Sequence, residues 1–291
     1  MSDALKQLQR IVGDAGFITD PERARPMLVD ERGQYEGRAA AIILPGSTAE
    51  LARAVRVCFD AGIGMVPHGG NTGYCGGATP DETGTQVLIK LSRMNRIRHI
   101  DERAFTLTAE AGVVLAEAQR AVASHNLLLP LSMGSEGSCQ LGGNVSTNAG
   151  GLAVLRYGTA REMVAGLEVV LPDGRVWDDL KGLRKDNTGY DLKQVFLGAE
   201  GTLGIISALV VRLRPMPRAR QTAWLAIPDV ADAVTVLGSL RTRLGDCVTS
   251  FEYISHDALK LVLNEIPGTS NPLGLTGAHC ALVELAWFAG G

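Results

Sequence analysis

The chain has 291 residues, of which 46% are hydrophobic and 20% are charged, and its formal net charge is −3. This composition is typical of a globular protein of one or two domains and excludes collagen-like and low-complexity chains. Because there is no excess of basic residues, we expect no nucleic-acid partner. No apolar run approaches the length of about 18 residues that a membrane-spanning helix needs.

The cysteines and the N-terminal residues predict the cellular compartment of the protein. The five cysteines form no CxxC pair, and their number is odd: Cys58, Cys75, Cys139, Cys247 and Cys280. Residues 1–10 lack the apolar core and cleavage site of a secretory signal peptide. Unpaired thiols suit a reducing environment, so we expect a cytoplasmic protein.

The first part of the chain predicts a strand–helix–strand unit. Residues 1–35 are expected to form a short helix at 4–12 and a polar connection, followed by a buried strand at 39–44. Ser47 and Glu50 have the spacing of a capping box and predict the start of a helix that ends at Gly62. The next strand, at 63–67, leads directly into a glycine-rich segment.

Further elements follow from apolar runs and turn residues. Strands are predicted at 86–91, 97–100, 105–110, 127–130, 167–171, 175–177 and 205–213, and helices at 113–124 and 191–196. After a proline-rich, basic break at 214–220, strands at 222–227, 248–253 and 280–285 alternate with helices at 230–244 and 257–263. We therefore predict an α+β protein with an N-terminal helix and connection at 1–35, a main domain at 36–215 and an incomplete domain at 216–291. Because the last strand lies so close to Gly291, we expect the chain to be a fragment.

Glycine is the most unusual feature of the composition. The chain has 35 glycines, where average usage predicts roughly 20. They cluster, with seven in residues 62–77, seven in 134–158 and five in 182–204. Clustered glycine indicates backbone that approaches something closely or adopts a positive φ.

The first cluster, PHGGNTGYCGG at residues 67–77, follows a buried strand. Successive glycines expose N–H groups that bind phosphate without Lys or Arg, and Asn71 and Thr72 add side-chain donors. A glycine-rich hairpin without a ligand is the alternative. No Gly-Lys dipeptide occurs, which excludes a P-loop. No helix is expected after Gly73, which excludes the nicotinamide-binding Rossmann motif.

The second and third clusters have other compositions. Residues 131–151 are almost all small, and many are polar, which suits backbone lying against a flat ligand; a close packing contact is the alternative. Residues 184–206, RKDNTGYDLKQVFLGAEGTLGII, end in a buried strand, and a structural turn explains them equally well.

Taken together, these segments resemble the FAD-linked oxidoreductases of the vanillyl-alcohol oxidase / p-cresol methylhydroxylase fold. The motifs that carry the resemblance are GGNTGYCGG at 69–77, GSEGSCQLGGNVSTNAGG at 134–151 and the 184–206 segment, with LRYG at 155–158 and GLEVVLPDGRVW at 166–177. Within this family the chain is most similar to the D-2-hydroxyacid dehydrogenases. The resemblance implies a PCMH-type FAD-binding domain of two α+β subdomains, followed by the start of a ferredoxin-like substrate domain.

The resemblance also implies the residues that bind the cofactor. The first loop would hold the pyrophosphate, and the second and third segments would line the flavin. The expected FAD-binding residues are Pro67, Gly69, Gly70, Asn71, Thr72, Gly73, Gly77, Ala78, Ser132, Gly134, Cys139, Gly142, Gly143, Asn144, Thr147, Asn148, Gly150, Gly204 and Ile205. Some relatives attach FAD covalently through a histidine in the first loop. Because Asn71 follows Gly69 and Gly70 here, we expect non-covalent FAD and interpret His68 as a loop residue.

For activity, the resemblance implies oxidation of D-2-hydroxyglutarate or D-lactate to the 2-oxo acid. The catalytic residues and a divalent metal such as zinc are expected beyond Gly291, in a full-length parent, and no metal site is expected within this chain. Arg184 and Lys185 are candidate contacts for the substrate carboxylate. The expected electron acceptor is an electron-transfer flavoprotein or a quinone. Among oligomeric states, a homodimer is compatible with the resemblance. A glycolate oxidase-type FAD subunit and a non-catalytic flavin-binding subunit are the alternatives.

Overall fold

A computed structural model describes residues 2–274 and 278–288. The helices are α1 (Asp3–Val12), α2 (Pro21–Leu28), α3 (Thr48–Asp60), α4 (Leu115–Ala123), α5 (Leu141–Ser146), α6 (Val154–Tyr157), α7 (Ala160–Met163), α8 (Lys193–Phe196), α9 (Val230–Leu244) and α10 (His256–Glu265). The strands are β1 (Phe17–Ile18), β2 (Ala41–Ile43), β3 (Met65–His68), β4 (Val87–Lys90), β5 (Ile97–Asp101), β6 (Thr106–Glu110), β7 (Leu127–Leu128), β8 (Val164–Val170), β9 (Val176–Asp179), β10 (Ile205–Arg212), β11 (Arg214–Pro215), β12 (Ala219–Ile227), β13 (Val248–Ile254) and β14 (His279–Trp287). Within these described residues, no helix has the length and apolar character needed to cross a membrane.

The chain forms two compact units. Unit 1 consists of Met1–Leu129, Gly134–Ala149 and Ala160–Arg214. Unit 2 consists of Pro130–Met133, Gly150–Thr159 and Pro215–Gly291. Two short segments, Pro130–Met133 and Gly150–Thr159, therefore belong to unit 2, although the predicted boundary at residue 215 places them in the main domain.

The predicted strand–helix–strand unit is confirmed in unit 1. Strands β2 and β3 both pair in parallel with β4, in a mixed sheet with the order β1-β2-β4-β3. Helix α3 connects β2 to β3 and buries its apolar side chains in the core. Its N-cap is Ser47, whose Oγ accepts from the Glu50 N–H at 3.2 Å, while the Glu50 carboxylate accepts from the Gly46 N–H at 2.8 Å.

The second sheet of unit 1 is antiparallel, with the order β5-β6-β10-β8-β9. All seven residues of β8 are buried, and so are the first seven of β10. Such continuous burial explains why both strands have apolar runs rather than an alternating pattern. The turn at residues 172–174 joins β8 to β9, as its Pro-Asp-Gly sequence predicts.

Several short elements were not predicted. Helix α2 begins at its N-cap, Asp20, with proline at its first position, but its polar composition indicated only a connection. Helix α5 lies inside the second glycine cluster, where low helix propensity argued against it. It forms because the buried Leu141 and Val145, four residues apart, pack on one helical face.

In unit 2 a three-stranded antiparallel sheet has the order β12-β14-β13. The predicted β-α-β-α-β order is confirmed, with α9 and α10 as the helices. Strand β14, the last in the chain, lies between the other two and therefore has partners on both sides. Apolar residues of α9, β12 and β14 form the core of this unit, including Ile227, Ala233, Ala281 and Val283.

A buried ionic network connects the antiparallel sheet of unit 1 with the start of α3. Arg98 lies 3.5 Å from the fully buried Glu110 and 3.2 Å from Glu168. Glu168 also accepts from the Thr48 hydroxyl at 2.6 Å and the Ser207 hydroxyl at 2.8 Å. Burial by itself would raise the pKa of each carboxyl group, but the hydrogen bonds and the arginine charges outweigh burial and lower both pKa values.

We predict that Arg98→Met lowers the free energy of unfolding at pH 7 by about 1–3 kcal/mol, because two buried carboxylates lose a common counter-charge. The lowered carboxyl pKa values make this stabilisation complete above about pH 4.5 and lost as the pH falls through the folded-state values. Urea unfolding at neutral and acidic pH measures the effect. The exposed pair of Arg56 and Asp60 provides the control, and Arg56→Met is expected to cost less than about 0.5 kcal/mol. Equal losses in the two variants would contradict the prediction.

Candidate functional site

The first two glycine-rich segments meet at Gly70. A Cβ atom on Gly70 would lie 2.3 Å from the Ser138 carbonyl oxygen and 2.9 Å from the Cα atom of Cys139. No side chain fits at such distances. Gly69 lies beside them, and its Cβ position would be 3.6 Å from Oε1 of Gln140. The two segments therefore pack backbone against backbone.

The third segment joins the same place. A Cβ atom on Gly201, where φ is +79°, would lie 2.7 Å from the Pro67 ring. The Glu200 N–H donates to the Ser146 carbonyl oxygen at 2.9 Å, and the Gly198 N–H donates to that of Val145 at 3.3 Å. All three segments thus meet within unit 1, although more than 100 residues separate the first from the third.

The first loop, from Gly69 onward, contains neither helix nor strand until β4, as predicted. Asn71 has a φ of +58°, the left-handed conformation that helps to form anion-binding nests. Its side-chain amide donates to the Val29 carbonyl oxygen at 2.8 Å. One N–H of this amide therefore binds the preceding segment of the chain. Donation to a phosphate by the second N–H stays a prediction.

A hairpin at residues 29–36 packs against this loop. The Tyr35 ring lies against Gly76, where a Cβ atom would be 2.8 Å from the ring carbons. The Arg32 guanidinium lies 3.9 Å from the centre of the Tyr74 ring. Asp30 holds the hairpin together by accepting from the N–H groups of Tyr35 and Arg32 at 2.7 and 3.2 Å. We find here a positioning role that the polar composition of residues 1–35 did not indicate.

His68 is the last residue of β3 and is only 1% exposed, so it is a core residue and not the expected loop residue. Its Nδ1 forms a 3.1 Å hydrogen bond with the Ala78 carbonyl oxygen, which ties the far end of the loop to its start. Burial and the nearby charge of Lys90 lower the pKa of His68 to about 4. The imidazole is therefore neutral at pH 7, and its Nε2 has no partner in the described residues.

The second segment contains buried polar atoms without protein partners. The Nδ2 atom of Asn144 and the Oε1 atom of Gln140 are both buried and unpaired in the part of the chain that the structure describes. Thr147 differs, because its hydroxyl donates to the Gly143 carbonyl oxygen at 3.0 Å. Asn148 also has a structural role, since its Oδ1 accepts from the Arg161 N–H at 2.9 Å.

The glycines and cysteine of the predicted site have different surroundings. Open space lies where a Cβ would extend from Gly73, Gly134 and Gly143. A Cβ on Gly142 would instead lie 2.5 Å from the Cβ of Ala111, and a Cβ on Gly77 would lie 3.4 Å from the Glu200 carboxylate. Cys139 is buried, with its N–H donating to the Ser135 carbonyl oxygen. Thr72 and Ala78 are half-buried.

The remaining predicted residues lie in three places. Gly204 packs against Val169, and Ile205 is buried opposite Val170. Arg184 and Lys185 are exposed in an irregular segment and form no ion pair within the described residues. Ser132 and Gly150 belong to unit 2. The Ser132 carbonyl oxygen accepts from the Leu152 N–H at 3.1 Å, and a Cβ on Gly150 would lie 3.1 Å from the Val154 side chain.

These observations test whether the residues fit FAD. The unpaired donor at Asn144 and the unpaired acceptors at Gln140 and His68 lie in the region where the three segments meet. Buried polar atoms normally have partners, and glycines with open space beside them let a ligand approach the backbone closely. The residues therefore fit a polar, extended cofactor such as FAD. In contrast, no group of three or more His, Cys, Asp or Glu side chains among the described residues is suited to a metal ion.

Two residues of this region were missed by sequence reasoning. Gln140 lies within the second glycine cluster but was not selected, although a long amide side chain among small residues was a usable signal. Lys90 gave no local signal, because only the parallel pairing of β3 with β4 brings it opposite His68.

Residues 39–179 match the protein family described as "FAD binding domain". The fold is similar to that of p-cresol methylhydroxylase with bound substrate, with a TM-score of 0.74 and 21% identity over 98% of this chain and 60% of the other. Alkyldihydroxyacetonephosphate synthase gives a TM-score of 0.82 with 22% identity, over 99% of this chain and 57% of the other. By its FAD-binding domain and its fold, the chain belongs to the flavoproteins of the vanillyl-alcohol oxidase / p-cresol methylhydroxylase type. The predicted family and α+β class are confirmed.

Sequence relatives indicate the branch of this family. The chain is 41% identical over 260 residues to the mitochondrial D-2-hydroxyglutarate dehydrogenase of Bos taurus, which covers 89% of this chain and 47% of that protein. It is 39% identical over 272 residues to a probable D-2-hydroxyglutarate dehydrogenase of rice, covering 94% and 48%. A putative D-lactate dehydrogenase of Schizosaccharomyces pombe is 35% identical, covering 91% and 50%. The chain thus spans about half the length of the curated relatives it matches.

The predicted cytoplasmic location is wrong, because these relatives are named as mitochondrial proteins. Unpaired cysteines indicated a reducing environment, but they do not distinguish one reducing compartment from another.

We predict that Gly70→Ala destabilises unit 1 by about 2–4 kcal/mol and impairs flavin binding, because the new methyl group overlaps the Ser138 carbonyl. The matched control is Gly73→Ala, three residues further along the same loop, where a Cβ meets open space. Its cost in stability is expected to stay below about 1 kcal/mol. Urea unfolding without flavin measures both changes, and similar losses in the two variants would show that the close approach at Gly70 is not required.

We also predict a pH dependence from His68. Its folded pKa, about 4, lies below the ordinary value of 6.5. As the pH falls from about 6.5 towards 4, the unfolded chain therefore binds a proton that the folded chain does not, and the free energy of unfolding decreases. His68→Asn retains a donor for the Ala78 carbonyl but does not titrate in this range. Unfolding curves at a series of pH values are expected to show a shallower decline for the variant, and parallel declines would contradict the prediction.

Proposed function

We propose that this chain provides the FAD-binding part of a D-2-hydroxyacid dehydrogenase that oxidises D-2-hydroxyglutarate or D-lactate to the 2-oxo acid. The observation that carries the proposal is the meeting of three glycine-rich segments around unpaired buried polar atoms. The 35–41% identity to dehydrogenases of these two substrates supports the choice of substrate class.

The chain's own residues would bind and orient the cofactor. Backbone N–H groups of the loop at 69–78 would hold the pyrophosphate, while the hairpin at 29–36 keeps the loop in place. Asn144 would donate to an acceptor on FAD, and Gln140 would accept from a donor. When bound, FAD would supply the two-electron acceptor for oxidation of the hydroxyacid.

Non-covalent binding is part of the proposal. Asn71 occupies the position of the attachment histidine of covalent relatives, and His68 is buried with its Nδ1 bonded to Ala78. Acid or heat denaturation of the yellow protein is therefore expected to release all flavin into the supernatant. Flavin that remains with the precipitated protein would contradict non-covalent binding.

Other parts of the proposal lie outside these residues. The substrate-binding and catalytic side chains, and a divalent metal such as zinc, would be supplied beyond Gly291. Arg184 and Lys185, exposed and without ion pairs in the described residues, are available for a substrate carboxylate. The electron acceptor, an electron-transfer flavoprotein or a quinone, and a homodimer remain predictions.

The first experiment measures FAD binding by titration of flavin-free protein. We predict that Asn144→Ala weakens FAD binding by about 5- to 50-fold, because the substitution removes the buried donor and leaves an acceptor on FAD without its hydrogen bond. Thr147→Val, in the same region, serves as the control and is expected to change the affinity by less than about 3-fold, since the Thr147 hydroxyl already bonds to a backbone carbonyl. A wild-type chain that takes up no FAD would contradict the proposed function.

The second experiment tests the substrate. D-2-hydroxyglutarate, D-lactate and glycolate are added anaerobically to a longer protein that contains this chain, with L-enantiomers as controls. Bleaching of the flavin by a D-hydroxyacid supports the proposal. Reduction by glycolate with rapid reoxidation by air favours the glycolate oxidase alternative. Flavin binding without reduction favours the non-catalytic subunit.

A further inference from the structure

One cation lies at the start of the predicted pyrophosphate loop. Lys90 is the last residue of β4, and its backbone pairs in parallel with that of His68, the residue before the loop. The Lys90 ammonium group reaches across to the Gly69 carbonyl oxygen, 3.5 Å away. The His68–Ala78 hydrogen bond brings the end of the loop to the same strand terminus.

The Lys90 ammonium has no counter-charge among the described residues. The ion pairs of residues 2–274 and 278–288 do not include Lys90, although its side chain is half-buried. Its burial lowers the pKa of the ammonium group, and its charge contributes to the lowered pKa of His68. Removing a cation from water without pairing it is unfavourable, so this arrangement favours an anionic ligand.

The geometry of the loop indicates which anion. Residues 69–78 contain five glycines and the left-handed Asn71, whose side chain is held by Val29. Such backbone presents N–H groups to a phosphate, and an ammonium group beside them would add a charge. The sequence predicted phosphate binding by backbone groups and by the side chains of Asn71 and Thr72, without a Lys or Arg.

We propose that Lys90 is a phosphate-binding residue of the cofactor site and pairs with the pyrophosphate of a dinucleotide. The proposal rests on the FAD binding proposed above, but it can be separated from it. It concerns the diphosphate only, so it predicts equal effects on every ligand that carries one and none on a flavin without phosphate.

The test compares wild-type protein with Lys90→Met and Lys90→Arg, using FAD, ADP, inorganic pyrophosphate and riboflavin as probes. Lys90→Met is expected to weaken the binding of the three diphosphates by about 10- to 100-fold, the range for a charge-assisted hydrogen bond. Riboflavin affinity is expected to change by less than about 2-fold. Lys90→Arg, which retains the charge, is expected to recover most of the affinity.

Salt dependence provides the second readout. Between about 50 and 300 mM salt, the affinity of the wild type for ADP is expected to fall more steeply than that of Lys90→Met, because one ionic contact is lost. Lys6→Met, which removes an exposed lysine of α1, is the charge control and is expected to match the wild type. Thermal unfolding of the ligand-free variants verifies folding, and if Lys90→Met does not fold, Lys90→Gln replaces it.

The outcomes separate the two proposals. If Lys90→Met weakens riboflavin and FAD equally, or leaves the salt dependence unchanged, Lys90 only supports the loop through Gly69 and the inference is wrong. If the wild type binds no FAD, the proposed function fails. Pyrophosphate binding that depends on Lys90 would then still support an anion site, and its absence would overturn the inference too.

Discussion

The close approach of backbone to backbone at Gly70 is the constraint on which the candidate site depends. The Ser138 carbonyl lies where a side chain on Gly70 would be, so two segments almost 70 residues apart can pack only if this position is glycine. The contacts around it maintain the approach: the His68 ring binds the far end of the loop, Asn71 binds Val29, and Glu200 binds Ser146. A conformation that glycine makes available is thereby fixed by neighbours that are not glycine.

Within this framework, hydrogen bonding separates residues that hold the protein together from those that remain for a ligand. Asn71, Thr147 and Asn148 all use their side chains within the protein. Asn144 and Gln140 do not, although both are buried. Because an unpaired polar atom in the interior is unfavourable, the second group is a better guide to the cofactor than the number of small polar residues. The same reasoning applies to Lys90, whose charge has no partner in the described part of the chain.

Stability and cofactor binding rest on different residues of unit 1. The network of Arg98, Glu110 and Glu168 fixes the antiparallel sheet against the start of α3. The site itself is formed by the loop that follows β3, by α5 and the segment before it, and by the turn that precedes β10. This separation allows a flavin-binding domain to fold around its own charges. The chain spans about half the length of the D-2-hydroxyacid dehydrogenases that it resembles.

Apolar periodicity, caps and glycine clusters are local properties of the chain, so the longer helices and strands, the family and the glycine-rich segments were predictable from sequence, whereas short elements such as α2 and α5 were not. The strand–helix–strand unit around α3 and the buried strands β8 and β10 were predictable for that reason. Only the tertiary structure decided what each site residue does. The Asn71 side chain supports its loop through Val29, His68 is a core residue, and the Lys90 ammonium lies beside the Gly69 carbonyl. These roles depend on which groups meet across long stretches of sequence, and neither spacing nor composition specifies the partner of a side chain.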